Sequence, residues 1–220
     1  METAEVELRV VEAVRALLEE DGLHGLRPPR IAERAGLDLP TLYRIAPSPV
    51  AALRRALRHI DGLVLAGGPA EAEDPPRDRL FDVMMRRYDA LVPWKAALRR
   101  IARTLPPDPL LAVGLALAVE RSMAAMLETA GISSVGLAGA LRVRGLCLVH
   151  AAALRAFLDD DSEDLSATMK ILDGRLRQAE RLAPLLDRFD PVPRTAAKDG
   201  AAPMHKNRAE FSISQSPYVN

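Results

Sequence analysis

The chain has 220 residues, 49% of them apolar and only 4% aromatic, with 30 basic and 30 acidic side chains that cancel. That length and apolar content suffice for one or two packed domains and exclude wholesale disorder; the few aromatics predict a core of Leu, Ala, Val and Met, which suit helices. The single cysteine, Cys147, excludes an internal disulfide and makes a Cys-based zinc site improbable.

Val6, Val10, Val14, Leu17 and Leu18 recur at helical spacing and predict a first helix over about Glu5–Glu20, stopped at Gly22. Pro28-Pro29 open a short second helix that carries Ile31, Ala32 and Ala35 and ends at Gly36; proline is tolerated where the first-turn N–H groups lack a partner anyway. Asp38 can cap a third helix, Leu39 to about Ile45, and Pro47 stops it. Ser48-Pro49 start a fourth, with Leu53, Leu57, Ile60 and Val64 on one face and Gly67-Gly68 at its end. The Gly/Pro/acid-rich stretch after it reads as a linker. Further helices are predicted over Asp78–Leu91, Lys95–Thr104, Asp108–Ala130, Val135–Leu158 and Ser162–Leu186. The expected organisation is an all-α chain: a helix-turn-helix module at 1–66, a linker at 67–77, a larger helical domain at 78–188 and a disordered tail at 189–220.

Charge is unevenly spread. Met1 to Asp21 holds seven acids and two arginines, whereas Gly22 to Ile60 holds seven arginines (Arg27, Arg30, Arg34, Arg44, Arg54, Arg55, Arg58) and two acids. A basic patch of this kind is what phosphate binding needs, although on charge alone an ordinary solvated Arg face is the better reading. Two short helices meeting at a glycine are the geometry of a helix-turn-helix, with Pro28–Ala35 bracing Leu39–Ile45 in a major groove. Thr41 and Arg44 can bond bases or phosphates, Tyr43 can reach a phosphate through its hydroxyl, and helix N-termini add backbone donors.

Ile31-Ala32-Glu33-Arg34-Ala35-Gly36-Leu37, then Thr41-Leu42-Tyr43-Arg44, Pro47-Ser48 and Ala51-Ala52-Leu53, resembles the DNA-binding domain of TetR-type transcriptional regulators over about Val10 to Leu65. The resemblance implies DNA contact by Arg27, Arg30, Leu39, Pro40, Thr41, Tyr43 and Arg44 on a double-stranded operator. It also implies a C-terminal domain that binds a small apolar or amphipathic effector and pairs two chains through the last two helices, about 135–158 and 162–186. The sequence departs from the family pattern at Asp38, Pro40, Ile45, Ala46 and Pro49. Arg79 to Leu91, and Asp160 to Leu165 with Thr168-Met169 and Leu172 to Leu176, resemble the C-terminal domain of COQ9-like proteins. Those share the fold and bind isoprenoid lipid, so a lipid-binding accessory protein is the alternative.

Met84, Met85, Tyr88, Trp94, Met123 and Met126 are candidates for an effector or lipid pocket, since methionine adapts to irregular apolar cavities; at helical spacing such residues are more often plain core. No nucleophile, base and orienter belong together, so no enzyme and no cofactor are expected. Cys147 and His150 fall short of the four ligands of a zinc site, and Asp159 to Ser162 lacks the Gly and bidentate Glu of a calcium loop and reads as a helix cap. Gly136 to Gly139 follows no strand and is no dinucleotide loop. The acidic N-terminus lacks a signal-peptide pattern, and the apolar stretch Pro109 to Val119 is short of the ~20 residues a membrane span takes, so a cytoplasmic protein, not integral to a membrane, is expected.

Overall fold

The computed structural model describes residues 3–103 and 109–187. Thr104 and Asp108, which bound two predicted helices, and the tail 189–220 lie outside the described residues. The elements run α1 (Thr3–Asp21), a 3-10 turn at Gly22–Gly25, α2 (Pro28–Ala35), α3 (Leu39–Ile45), α4 (Pro49–Ala66), α5 (Pro76–Leu91), a second 3-10 turn at Val92–Trp94, α6 (Lys95–Arg103), α7 (Pro109–Thr129), α8 (Gly136–Asp159) and α9 (Ser166–Asp187). No strand occurs among the described residues, so the all-α reading holds.

The punctuation of α1–α4 works as local chemistry dictates. Gly36 ends α2 with φ 62°, a left-handed conformation that costs a side-chain-bearing residue about 1 kcal/mol or more. The Asp38 carboxylate accepts from the Thr41 amide at 3.1 Å and caps α3, and Ser48 Oγ accepts from the Ala51 amide at 3.2 Å and caps α4. Each satisfies an amide that a helix start leaves open.

Two junctions differ from expectation. α5 starts at Pro76, two residues before Asp78, because the Pro75-Pro76 pair presets helical φ where no amide is needed. α9 starts at Ser166 rather than Ser162. Residues 162–165 form a turn closed by Leu165, which holds φ 53° with its side chain buried. The buried Asp160 carboxylate accepts from the Thr168 amide and hydroxyl, both at 2.8 Å, so the cap reaches α9 from eight residues upstream.

Helix α1 packs on α2, α4 and α6, α4 on α5 and α7, and α8 on α9 and α7. Val10, Leu17, Ile31, Leu42, Ile60, Met84, Met126, Phe157 and Leu172 belong to one continuous buried cluster. Truncating a fully buried leucine such as Leu42 in such a core costs ~2–5 kcal/mol. α8 alone among the described helices is long and apolar enough to cross a membrane, but its Val143, Leu146, Val149, Ala153 and Phe157 face this core.

Candidate nucleic-acid interface

Helix α3 shows solvent one face of unusual composition. Leu39 is 42% and Tyr43 53% accessible, Pro40 and Arg44 are exposed, and Thr41 is half-buried. Leu42 at the same level of the helix is completely buried. The exposed leucine and tyrosine flank the hydroxyl and guanidinium that could bond a polar partner. Arg44 Nη2 donates to Thr41 Oγ1 at 3.0 Å, so the two groups are presented as a unit. The Asp38 carboxyl is held below the usual carboxylate range by its bonds from Thr41, with the Arg44 charge assisting.

The turn between α2 and α3 is gripped from outside the pair. Arg9 of α1 donates from Nε to Ala35 O at 2.9 Å and from Nη2 to Gly36 O at 2.6 Å. These bonds take up carbonyls that the end of α2 leaves open, and they fix α3 relative to α1.

The seven arginines of the basic segment divide into two sets. Arg30 pairs with Asp21 at 2.5 Å, Arg34 with Glu20 at 2.8 Å, and Arg55 with Glu7. The acidic α1 thus neutralises three of them, and the Arg34 and Arg30 bonds hold Glu20 and Asp21 below the usual carboxylate range. Arg27, Arg54 and Arg58 form no ion pair among the described residues and are exposed, as is Arg44. Of the predicted contact residues, Leu39, Pro40, Thr41, Tyr43 and Arg44 therefore share α3, Arg27 sits free at the start of α2, and Arg30 is tied to α1.

Ala46 is completely buried, so this departure from the family pattern falls on a core site and leaves the exposed face of α3 unchanged. Pro49 occupies the first turn of α4 behind the Ser48 cap, where it supplies no cation.

Among the candidate pocket residues, Met84, Tyr88, Met123 and Met126 have no accessible surface, and Met85 packs against the same cluster. Trp94 instead borders a cleft of about 280 Å³ lined also by Leu8, Val11, Glu12, Arg15, His59 and Leu63. His150 is buried against Tyr88 rather than paired with Cys147. Sequence reasoning missed Arg9 and the arginine pairing, since their partners lie on another helix; the acidic α1 was the only available signal.

No protein-family model and no curated protein matches this sequence. Solved structures do match. A TetR transcriptional regulator from Rhodococcus sp. RHA1 is similar with a TM-score of 0.52 and 22% identity, over 84% of this chain and 97% of that one. The chain has the fold of TetR-type regulators. A tetR-family transcriptional regulator from Streptomyces coelicolor gives a TM-score of 0.52 at 14% identity, over 87% of this chain and 92% of that one. A TetR variant from Acinetobacter baumannii AYE in complex with minocycline gives 0.51 at 22% identity, over 83% and 98%. On this TetR-like fold α2 and α3 form the helix-turn-helix. The two blocks that resemble COQ9-like proteins fall on α5 and on the turn into α9 with its first half.

Proposed function

We propose that the chain is a dimeric, operator-binding transcriptional regulator of TetR type, acting as a repressor that answers to a small apolar or amphipathic molecule. The observation that carries this function is the exposed face of α3, with Leu39, Thr41, Tyr43 and Arg44 displayed on a helix-turn-helix that Arg9 and the ion pairs of α1 hold rigid. Thr41 and Arg44 read base edges or phosphates, Tyr43 bonds a phosphate, Leu39 makes an apolar contact, and Arg27 anchors the backbone at the start of α2. The Asp38 carboxylate stays charged but is held on the α3 amide it caps, and the nearby Arg44 guanidinium offsets its charge toward phosphates.

Dimerisation is assigned to α8 and α9. Leu137, Leu141 and Leu148 fall on one face of α8 at 63%, 37% and 75% exposure, and Ile171 and Leu182 share a face of α9. Two such pairs make a four-helix seam and set two recognition helices about 34 Å apart, one DNA turn, or a multiple of it.

The test is binding of the purified chain to its own upstream intergenic DNA at two salt concentrations, with random duplex as control. Operator affinity well above random and falling with salt is expected. Equal weak binding to both duplexes across the flanking intergenic regions would remove the regulator function.

A further inference from the structure

A buried polar node sits where α4, α5 and α7 meet. Arg87 of α5 is 1% exposed, and its Nη1 donates to Asp61 Oδ1 of α4. Ser122 Oγ of α7, itself buried, donates to the same carboxylate oxygen at 2.5 Å. The Nε of Arg87 is buried and has no hydrogen-bond partner. A guanidinium carries five donors in a planar fork, so one shared oxygen leaves this cation far from satisfied in an apolar surrounding.

Three further observations bear on what would satisfy it. Asp61 side-chain exposure is 14%, so its carboxylate reaches solvent at the edge of the node. Met84 lies one helical turn before Arg87, and Met123 and Met126 lie just beyond Ser122; all three are fully buried unbranched side chains that can re-rotate around an inserted chain. The Arg87 charge also helps to keep the neighbouring His150 neutral, after burial, so no second cation competes for an incoming anion.

We infer that the molecule this body binds is an acid with an unbranched apolar tail, whose carboxylate engages the open Nε edge of the Arg87 fork and competes with Asp61 for its charge. A carboxylate matches Nε and Nη2 of a guanidinium with two parallel bonds, and Asp61, held on Nη1, leaves that edge open. A second carboxylate on the same guanidinium weakens its hold on Asp61, and with it the tie between α4, the helix that follows α3, and α5. The coupling to DNA rests on the regulator function proposed above; the acid site itself does not.

The experiment titrates the full chain with decanoate, decanol and decyltrimethylammonium below their aggregation limits, by calorimetry and by fluorescence of the lone Trp94. Decanoate is expected to bind about tenfold or more tighter than either congener, the worth of a charge-assisted pair. Asp61→Asn, which frees Arg87, is expected to tighten decanoate about tenfold, and Arg87→Met to abolish it. If Arg87→Met fails to fold, Asp61→Asn decides, because a purely structural ion pair gives no reason for tighter binding. Decanol binding as tightly as decanoate, no decanoate binding at all, or unchanged or weaker binding by Asp61→Asn overturns the inference. An operator-binding chain indifferent to decanoate loses only the acid site; decanoate binding without operator binding keeps that site and removes the regulator.

Discussion

The Tyr88 hydroxyl lies 3.0 Å from Nδ1 of His150, with both side chains inside the apolar core. Burial, followed by the charge of Arg87, pushes the His150 pKa from 6.5 down to about 3, so the imidazole is neutral in the folded chain. Below pH 6.5 the unfolded chain takes up a proton there that the folded chain refuses. This group's contribution to stability is therefore intact above pH 6.5 and is lost as pH falls toward about 3. The loss amounts to roughly 1.4 kcal/mol per pH unit. Urea unfolding at pH 7 and pH 5 should show it, and His150→Gln should flatten the slope. Tyr88→Phe should cost ~1–3 kcal/mol at pH 7, since it leaves a buried ring nitrogen unpartnered.

The two classes of arginine should separate on DNA. Arg44→Ala should weaken binding to an identified operator by ~1–3 kcal/mol and lower the salt slope by about one. Arg34→Ala, whose guanidinium already holds Glu20 through two bonds at 2.8 Å, should leave both quantities nearly unchanged. Equal losses from the two variants in a filter-binding or anisotropy titration would contradict the division.

Leu148 is 75% exposed, so a charge there does not disturb the folded chain. Leu148→Glu should therefore keep the melting temperature of the isolated chain while halving the mass seen by light scattering, and it should abolish tight operator binding. A dimeric Leu148→Glu variant would place the subunit seam elsewhere.

Asp160 accepts from Ser162 and Thr168 on both carboxylate oxygens. Burial works to raise its pKa, but the four bonds outweigh it and hold the carboxyl far below the usual range. Its stabilisation is present above about pH 4, the ordinary carboxylate value, and fades as pH falls below it. Asp160→Ala should lower stability by ~1–2 kcal/mol at pH 7, a loss of several degrees in melting temperature for a chain of this size. The difference between variant and parent should shrink in acid.

Much of the fold is legible in the sequence because its helices are bounded by local chemistry. Gly36, Asp38, Ser48 and the prolines act on their own neighbours, and α2, α3 and α4 begin and end where those residues place them. What stays hidden depends on partners distant in sequence. Asp160, six residues before α9 begins, caps it through Thr168, so the turn residue Ser162 looked like the start itself. The exposed face of α3 could be read from Leu39 to Arg44. That Arg30, Arg34 and Arg55 face α1 could not, since it depends on how two helices cross. The buried methionines illustrate a different limit: their helical spacing is the same in a packed core and in a pocket wall, and only packing distinguishes the two.

The acidic first helix has a bearing on how such a protein finds its target. By placing Glu7, Glu20 and Asp21 against three arginines, α1 presents to them the same charge that a nucleic-acid backbone would. Random genomic DNA attracts a protein through the arginines that are free to release counter-ions, and here those are far fewer than the sequence contains. On the proposed regulator function, α1 is a built-in competitor that would shorten the chain's stay on irrelevant sites and leave more copies in solution to sample new ones. An acid-to-amide change at Glu20 would trade that mobility for stickiness.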